Sequence, residues 1–267
     1  QGKELSYNNL LDLDAALAIV ASFPEPAAAV VKHGNPCGAA TADALAAAYE
    51  AALAGDHVSA FGGVVAVNRS IDSELAQTLS EQFIEVVMAP SFSDDALEIL
   101  GRRGGLRILA NEERRRQIPG ERDYRRVIGG MLVQDVDGDL DERDAMEVAA
   151  GNAPSEAEWG DLLFAWRVAK HVASNAIVLS KDLATIGIGG GQMSRVDAVK
   201  IAVSKALEHG HDLKGSVLAS DAFFPFADGP SAALEAGVVA IIQPGGSKRD
   251  AEVIEAVEQA DARMVLS

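Results

Sequence analysis

The sequence predicts an α/β protein in which helices cover both faces of a sheet. Short apolar runs rich in Val and Ile alternate with stretches of helical periodicity along most of the 267 residues. Many of these runs lack polar alternation, which is typical of strands buried on both faces. Several helical stretches also begin with capping sequences. This alternation of strands and helices favours α/β architecture.

Ten apolar runs are predicted to be strands, five in each half of the chain. They are Ala27–His33, Gly62–Asn68, Phe83–Pro90, Leu106–Ala110, Val127–Gln134, Ala176–Ser180, Thr185–Gly189, Ser216–Ser220, Val238–Gln243 and Met264–Leu266. Four helices are predicted between them, at Asp43–Leu53, Trp159–Val172, Val196–Leu207 and Ala251–Ala260. The last three follow capping sequences that pair Ser155 with Glu158, Ser194 with Asp197, and Ser247 with Asp250.

The chain is predicted to contain two subdomains, residues 1–140 and 141–267. The stretch Asp135–Ala153 is acidic, contains two glycines and has little periodicity, so the boundary is placed within it. Lys32-His33 closes an apolar strand in the first half, and Lys170-His171 precedes one in the second. This repeated dipeptide hints at related halves but is too short to establish a duplication.

The composition excludes several classes of function. The net charge is −17, whereas nucleic-acid binding needs a basic face, so no nucleic-acid partner is expected. No run of about 18 apolar residues is present, so no membrane span is expected. The single cysteine, Cys37, excludes zinc sites that need two thiolates and indicates a reducing, cytoplasmic location. The chain begins without Met, which indicates a fragment or a processed product.

The first candidate site follows a predicted buried strand. Lys32 and His33 end that strand and lead into a turn of Gly, Asn and Pro. Strand ends are where α/β sheets bind ligands, and a neighbouring lysine favours a neutral, basic imidazole. A plain strand exit with a solvated lysine is an equally good interpretation. Cys37 fits a nucleophile or a small packing residue, and packing is favoured.

Glycine-rich turns form a second group of candidates. Gly62 follows Ser-Ala-Phe before a strand, where it permits close approach of a ligand to the backbone. Two further turns, 187–197 and 243–250, lead into helices and carry Ser with Arg or Lys. Helix N-termini and arginine bind anions, so both turns are consistent with an anionic ligand. A plain turn into a helix remains the alternative for each of them.

A loop rich in phenylalanine is the third candidate. Three of the chain's eight Phe residues lie within Phe223–Phe226, next to Asp221 and Asp228. A platform for a planar heterocycle and a small hydrophobic cluster that fixes the loop are both consistent with this pattern.

Taken together, these motifs resemble one family, the AICAR transformylase domain of the bifunctional purine-biosynthesis enzyme (AICAR transformylase/IMP cyclohydrolase). The matching stretches occur in the family's order along nearly the whole chain. They are QGKELSYNNLLDLDAA, VKHGNPCGAA, VSAFGGVVAVN, SNAIVLSKD, GIGGGQMSRVDA, LASDAFFPFADG and AIIQPGGSKRD.

The resemblance implies two tandem cytidine-deaminase-like subdomains with helix-covered sheets in three layers and without the deaminase zinc. It implies transfer of a formyl group from 10-formyltetrahydrofolate to the 5-amino group of phosphoribosylaminoimidazolecarboxamide (AICAR). It also implies a homodimer whose active site is shared between subunits. Whether a monovalent cation binds is left open.

The resemblance also implies roles for individual residues. Lys32 and His33 match the catalytic pair, with His33 as the candidate base and Lys32 as an oxyanion stabiliser or proton relay. The sequence does not separate these two roles. Asn175 matches the residue that orients the formyl group or the carboxamide. The implied AICAR contacts are Gly62, Glu85 (where relatives have Asp), Arg195 and Phe226. The implied folate contacts are Val196, Phe223, Pro225 and Asp228.

The chain also departs from the family. Family members carry an Arg-Tyr-Gly segment before QGKELSYNN and a tail like Arg-His-Phe-Arg after the last motif, and both contribute to nucleotide binding. Without them and the cyclohydrolase domain, ring closure is expected to be absent and transformylase activity weak. The alternative is a fragment that binds folate or nucleotide without turnover. A nucleoside deaminase of the same fold is a third possibility, which the single cysteine argues against.

Overall fold

The computed structural model describes residues 1–112, 120–138 and 143–267. Within these ranges an eleven-stranded sheet lies between two layers of helices, and a separate two-stranded hairpin lies outside it. The α/β prediction, with helices on both faces of the sheet, is therefore confirmed. No helix in the described ranges is long and apolar enough to cross a membrane.

The elements of the two halves follow each other in a similar order. The first half contains α1 (Tyr7–Ala21), β1 (Ala27–Lys32), β2 (Asn35–Thr41), α2 (Leu45–Gly55), β3 (Gly63–Val67), α3 (Ser73–Glu81), β4 (Ile84–Ala89), α4 (Asp94–Gly101) and β5 (Arg107–Ala110). The hairpin consists of β6 (Arg122–Val127) and β7 (Gly130–Asp135). The second half contains a 3-10 turn (Arg143–Ala145), β8 (Glu147–Ala150), α5 (Glu156–Ala169), β9 (Ile177–Lys181), β10 (Ala184–Gly189), α6 (Arg195–Glu208), β11 (Val217–Ser220), α7 (Asp228–Ala236), β12 (Ala240–Gln243), α8 (Asp250–Gln259) and β13 (Arg263–Leu266).

The strand order shows that the two halves share one topology. Across the sheet it is β5-β4-β3-β1-β2-β10-β9-β11-β12-β13-β8. β1 and β2 in the first half, and β9 and β10 in the second, form antiparallel hairpins, and the last three strands of each half run parallel to one another. The additional strand β8 pairs in antiparallel orientation with β13 at the edge of the sheet. The predicted boundary between residues 140 and 141 lies outside the described residues, so the division into subdomains stays a prediction. The charged stretch Arg114–Arg116, which the sequence predicts to form a solvated face, also lies outside them.

The two halves join where β2 meets β10 in antiparallel orientation. Ala40 pairs with Ala184, and the Thr41 amide donates to the Leu183 carbonyl at 3.0 Å. The buried Thr185 hydroxyl accepts from the Ala39 amide at 3.0 Å and donates to the Ala39 carbonyl at 3.2 Å. The Thr185 hydroxyl thus satisfies the amide and the carbonyl of Ala39, which would otherwise be buried without partners. Together with the backbone contacts, these bonds join the two halves into one sheet.

The helices are divided unevenly between the two faces. α1 and α5 share one face and one hydrophobic core, in which the rings of Phe23 and Phe164 stack at 5.1 Å. The other six helices in the described part of the chain cover the opposite face in two clusters, one for each half. Both faces of the central strands are therefore buried, as their continuous apolar sequence predicts.

Two equivalent glycines allow helices to pack directly on strands. A Cβ at Gly38 would lie 1.9 Å from the Ala52 carbonyl oxygen of α2. A Cβ at Gly187 would lie 2.2 Å from the Ala202 carbonyl oxygen of α6. The same close contact thus recurs between β2 and α2 in the first half and between β10 and α6 in the second.

Some sequence predictions were wrong. Val127–Gln134 is not one buried strand: it spans the turn of the β6–β7 hairpin, whose residues are all exposed. β2 was missed because Pro36 and Gly38 favour a turn, yet burial between β1 and β10 makes this segment a strand. α1, α3, α4 and α7 were also missed, because the adjoining strands dominated the apolar pattern.

The capping predictions had mixed outcomes. The box of Ser155 and Glu158 is confirmed, with both reciprocal hydrogen bonds formed. The boxes predicted at Ser194 and Ser247 are wrong, since α6 begins without a side-chain cap and α8 is preceded by Arg249. Ser247 instead accepts the Arg249 amide at 3.1 Å, which stabilises the turn rather than the helix.

One contact joins equivalent helix ends of the two halves. The Ser22 hydroxyl after α1 lies 3.1 Å from Nε2 of His171, which follows α5. Burial, together with the nearby Lys170 ammonium, lowers the pKa of His171 to about 4. The imidazole is therefore neutral when the protein is folded at neutral pH.

This depressed pKa predicts an acid-sensitive contribution to stability. An unfolded histidine has a pKa of about 6.5, so between that pH and about 4 protons bind preferentially to the unfolded chain. The free energy of unfolding should therefore fall over this window, and it should fall less in His171→Gln. Urea denaturation at several pH values measures the difference. Parallel profiles for the two proteins would contradict this account of His171.

Candidate active site

The predicted site residues gather at one edge of the sheet because of strand direction. β1 ends there at Lys32, and the antiparallel β3 begins there at Gly63. In the second half β9 begins at the same edge, where Ile177 pairs with Ser220 at the end of β11. Side chains from both halves of the chain therefore face a common region.

We call residues 32–35 the Lys–His turn. Lys32 is half-buried, and its Nζ donates to the Phe61 carbonyl at 2.6 Å. His33 is exposed and has a left-handed backbone with φ of 55°. Asp12 of α1 accepts the turn's amides, with Oδ1 2.6 Å from Gly34 N and Oδ2 3.2 Å from His33 N. The turn therefore presents an ammonium group and an imidazole from a fixed backbone.

Asn35 connects this turn to the second half of the chain. Its Oδ1 accepts the Ala173 amide at 3.0 Å. Ala173 lies two residues before Asn175, so the bond holds the two loops beside each other. By strand order, however, β2 and β10 lie between β1 and β9, and three strand spacings amount to about 14 Å.

We call Asn175, Arg195, Ser220 and Asp221 the arginine network. Arg195 is buried at the start of α6, and its Nη1 donates to Ser220 Oγ at 2.8 Å and to Asp221 Oδ1 at 2.5 Å. Its Nη2 donates to Asn175 Oδ1 at 2.7 Å, and Asn175 Nδ2 donates to the Gln192 carbonyl at 2.7 Å. The Asn175 amide is thus oriented by partners on both of its polar atoms.

The carboxylate of Asp221 neutralises the buried guanidinium. Burial raises the pKa of Asp221, but hydrogen bonds from Arg195, Ser174 and the Ala176 amide outweigh it, so the pKa is lowered overall. The group is therefore ionised at neutral pH. A charged pair that is hydrogen-bonded in this way fixes the direction of both side chains.

In the loop Phe223–Phe226, one aromatic side chain fixes the loop and the others are accessible, so both interpretations of the sequence apply in part. Phe224 is buried, and its amide donates to Gln243 Oε1 at 2.7 Å, so this residue anchors the loop. Phe223 and Phe226 remain 41% and 48% exposed, and the Arg249 guanidinium lies 4.8 Å from the centre of the Phe226 ring. One ring fixes the loop while two remain available to a ligand.

The other predicted folate contacts lie next to these groups in the chain. Pro225 is exposed between the aromatic residues, and Val196 is half-buried beside Arg195 in the first turn of α6. Asp228 begins α7, where its Oδ1 accepts the Gly229 amide at 2.8 Å. This hydrogen bond uses one of its two carboxylate oxygens.

Gly62 and Glu85 lie on the other side of the Lys–His turn. Gly62 has φ of 74°, and its amide donates to the Phe83 carbonyl at 2.7 Å. Glu85 accepts from Asn9 Nδ2 at 3.0 Å and lies 3.6 Å from an Arg107 nitrogen. Because β3 lies between β1 and β4, Glu85 is about two strand spacings, roughly 10 Å, from Lys32.

A cleft of about 350 Å³ opens beside the Lys–His turn. It is lined by Lys32, His33, Asn35, Pro36, Cys37, Gly55, Asp56, Ser59, Ile188 and Lys205. Its size is at the lower end for small-molecule sites, which commonly hold their ligand with a few convergent polar groups. The motifs singled out in the sequence contain most of this lining, but they omit Gly55, Asp56 and Lys205.

Asp56 and Lys205 are site residues that sequence reasoning missed. Asp56 Oδ2 lies 2.9 Å from Lys205 Nζ, and Asp56 accepts from both the amide and the hydroxyl of Ser59. Burial raises the pKa of Asp56, but these bonds outweigh it and lower the pKa, while the Asp56 contact raises the pKa of Lys205. The Asp-x-x-Ser spacing, an Asx-type turn, was the available sequence signal.

Cys37 is a packing residue rather than a nucleophile. Burial is the main cause that raises the pKa of its thiol to about 12. At neutral pH the reactive thiolate is therefore essentially absent. Among the described residues, no group of three or more His, Cys, Asp and Glu side chains is arranged to hold a metal ion.

The fold and the site together define an α/β domain with two topologically equivalent halves, whose polar cleft is of a size and chemistry suited to a small molecule. The sequence model of the family described as AICARFT/IMPCHase bienzyme matches residues 1–205. The chain belongs to this family.

A curated relative from a bacterium matches the chain from end to end. The chain is 54% identical over all 267 residues to the bifunctional purine biosynthesis protein PurH of Acidithiobacillus ferrooxidans (strain ATCC 53993 / BNL-5-31). It spans about half the length of that relative, 51%. The family resemblance drawn from the motifs is therefore confirmed, whereas the roles of individual site residues stay predictions.

The arginine network yields a prediction about stability. Arg195→Met would leave the Asp221 carboxylate without its guanidinium partner, and breaking a buried pair costs about 3 kcal/mol. Chemical denaturation measures the loss in unfolding free energy. Arg102→Met is the matched control, because Arg102 pairs with Glu98 at 2.9 Å on the exposed face of α4, where ion pairs contribute little. Equal effects of the two substitutions would show that the network does not stabilise the fold.

Proposed function

We propose that this chain carries out the AICAR formyltransferase reaction of purine biosynthesis. Its substrates would be AICAR and, as cosubstrate, 10-formyltetrahydrofolate. The observation that carries the proposal is the convergence of the Lys–His turn and the arginine network at one sheet edge, in a chain of the AICARFT/IMPCHase family. A cytoplasmic location is part of the proposal, because the substrates are metabolites of that compartment and the only cysteine is a buried thiol.

The proposed reaction needs a base and a stabiliser of negative charge. The 5-amino nitrogen of AICAR is conjugated with a ring bearing a carboxamide, so it is a poor nucleophile. When it attacks the formyl carbon, a new C–N bond forms and the carbonyl electrons move onto oxygen. Collapse of this intermediate breaks the bond to N10 of the folate, which leaves with a proton. The products are formyl-AICAR and tetrahydrofolate.

His33 and Lys32 have the chemistry for these two tasks. His33 is exposed at the mouth of the cleft, where its imidazole would accept the proton from the attacking amine. Lys32 uses one N–H on the Phe61 carbonyl, which leaves two further donors on the ammonium for a developing oxyanion. In this assignment His33 is the base and Lys32 the oxyanion stabiliser.

The arginine network would orient the substrate. The Asn175 amide is held by Arg195 and by the Gln192 carbonyl, so its remaining N–H has a fixed direction. We assign it to the formyl oxygen or the AICAR carboxamide, with Arg195 alongside. The exposed rings of Phe223 and Phe226 offer apolar faces for the planar heterocycles.

The proposed roles of Lys32 and His33 predict that both side chains are needed for activity, whereas a lysine at the end of an equivalent strand elsewhere is not. Lys32→Met and His33→Ala should each lower formyl transfer by about 100-fold or more, since both remove a group that acts in the transition state. Tetrahydrofolate formation is the measurement. Lys181→Met is the control, because Lys181 ends β9 and donates to the Lys214 carbonyl at 2.8 Å at the opposite sheet edge. It should retain turnover.

The wild-type result separates the competing functions. Turnover that requires His33 supports the transferase. Binding of 10-formyltetrahydrofolate without turnover would favour the alternative of a folate-binding fragment. If neither ligand binds and no turnover occurs, the proposed function is wrong for this chain.

We further propose that the chain is a homodimer whose active site is shared. The three strand spacings between β1 and β9 favour a site to which a second copy contributes. The β6–β7 hairpin favours the same conclusion. It exposes Tyr124, Ile128, Met131 and Leu132, and an isolated two-stranded hairpin is marginally stable in water. With three Arg and two Asp between residues 122 and 135, the hairpin is net positive on a chain of charge −17.

The dimer is tested by placing a charge in the hairpin. Leu132→Asp should shift the sedimentation coefficient from dimer towards monomer, because a carboxylate would be buried without a partner. Leu207→Asp, at an exposed apolar position on α6, should leave the dimer intact. A monomeric wild-type chain would refute the dimer, and a dimeric Leu132→Asp protein would exclude the hairpin from its interface.

A further inference from the structure

We propose that Asp12 is a positioning residue for the transfer reaction, because it fixes the backbone from which His33 projects. This inference rests on the proposed function of the Lys–His turn. Asp12 is the sixth residue of α1, is buried, and lies far from the turn in the sequence. It acts through His33 rather than by contact with substrate.

The carboxylate of Asp12 makes one hydrogen bond with each oxygen. Oδ1 accepts from Gly34 N at 2.6 Å, and Oδ2 accepts from His33 N at 3.2 Å. Both turn residues have left-handed backbones, with φ of 55° at His33 and 74° at Gly34. A residue with a Cβ rarely adopts this region, so His33 needs an external constraint to stay there. The two hydrogen bonds to the Asp12 carboxylate supply that constraint.

The left-handed backbone determines where the imidazole points. The His33 side chain is exposed, so its direction comes mainly from the orientation of its Cα–Cβ bond. A change to an extended backbone would redirect that bond away from its present course beside Lys32. Catalytic groups have to be held close to their productive geometry, and small displacements cost large factors in rate.

The second half contains the same device without the histidine. Asp161 of α5 accepts from Leu183 N at 2.6 Å and from Asp182 N at 3.1 Å. Asp182 and Leu183 also have left-handed backbones, with φ of 55° and 58°. This turn lies at the opposite sheet edge, between β9 and β10. It therefore isolates the structural role of the aspartate from any role in catalysis.

Helix α1 also contacts a second predicted site residue, Glu85. Asn9, one helical turn before Asp12, donates from Nδ2 to Glu85 at 3.0 Å. The two side chains lie three residues apart and so project from one face of the helix. α1 thus orients both the Lys–His turn and Glu85, although none of its own residues lines the cleft.

The test compares Asp12→Asn with Asp161→Asn in the full chain. Each substitution leaves one of its two turn amides facing an NH2 group instead of an acceptor, so both should loosen their turns and lower the melting temperature. Only Asp12→Asn should lower kcat, by roughly tenfold to 100-fold, with KM for AICAR changed by less than about threefold. Gly34→Ala provides a second route, because an added Cβ meets no atom within 4 Å and strains only the backbone. It should lower kcat in the same way.

Amide hydrogen exchange provides a readout that does not depend on turnover. The His33 and Gly34 amides should exchange faster in Asp12→Asn, whereas in Asp161→Asn the Asp182 and Leu183 amides should do so. Equal losses of kcat in the two aspartate variants would reduce Asp12 to a structural role and overturn the inference. Wild-type kcat in Asp12→Asn, with its turn amides exchanging faster, would overturn it as well.

If the proposed function itself is wrong, the experiment gives a result that can be told apart from failure of the Asp12 inference. In that case the wild-type chain itself shows no turnover, and His33 carries no formyl transfer to be positioned. The order of the His33 imidazole, from NMR relaxation, then decides the structural claim. Greater ring mobility in Asp12→Asn than in Asp161→Asn supports it, and equal mobility overturns it.

Discussion

The antiparallel contact between β2 and β10 determines where the site lies. Because these strands run in opposite directions, the equivalent strands of the two halves are also antiparallel to one another. The end of β1 in the first half and the end of β11 in the second therefore come to the same sheet edge. If the halves had joined in parallel, the Lys–His turn and the arginine network would lie at opposite edges. Thr185, which bonds twice to Ala39 across the junction, helps to maintain this arrangement.

The repeated topology makes the differences between the halves informative. Asn68 follows β3, and Asp221 follows its counterpart β11. Asn68 accepts the amide of Ala27 at the start of β1 at 2.8 Å, and Asp221 accepts the amide of Ala176 just before β9 at 2.9 Å. The neutral Asn68 amide donates to nearby backbone carbonyls and closes its edge of the sheet. The charged Asp221 carboxylate instead receives the Arg195 guanidinium. At equivalent positions, the Asn68 amide therefore has a structural role only, whereas the Asp221 carboxylate can also hold the Arg195 guanidinium, which in turn orients Asn175.

Helix α1 illustrates why parts of the site escaped sequence reasoning. Asp12 and Asp14 alternate with leucines in the sequence, and only the turn between β1 and β2 shows that Asp12 has a specific role, because it accepts the amides of that turn. Asp56 and Lys205 lie on different halves of the chain, and their ion pair at 2.9 Å depends on the β2–β10 junction. Local patterns carry no information about such pairs, because sequence separation bears no relation to distance in the folded chain.

The sequence by itself determined the α/β class, most of the buried strands, the capped α5 and the family, since these follow from local periodicity and contiguous motifs. It also identified Lys32, His33, Asn175 and Arg195 as residues to examine. The tertiary structure alone decided that β2 is a strand despite Pro36 and Gly38, because its neighbours β1 and β10 pair with it and bury it. It also decided which charges meet at the site, because long-range strand pairing and helix packing, rather than local propensity, bring distant side chains into contact.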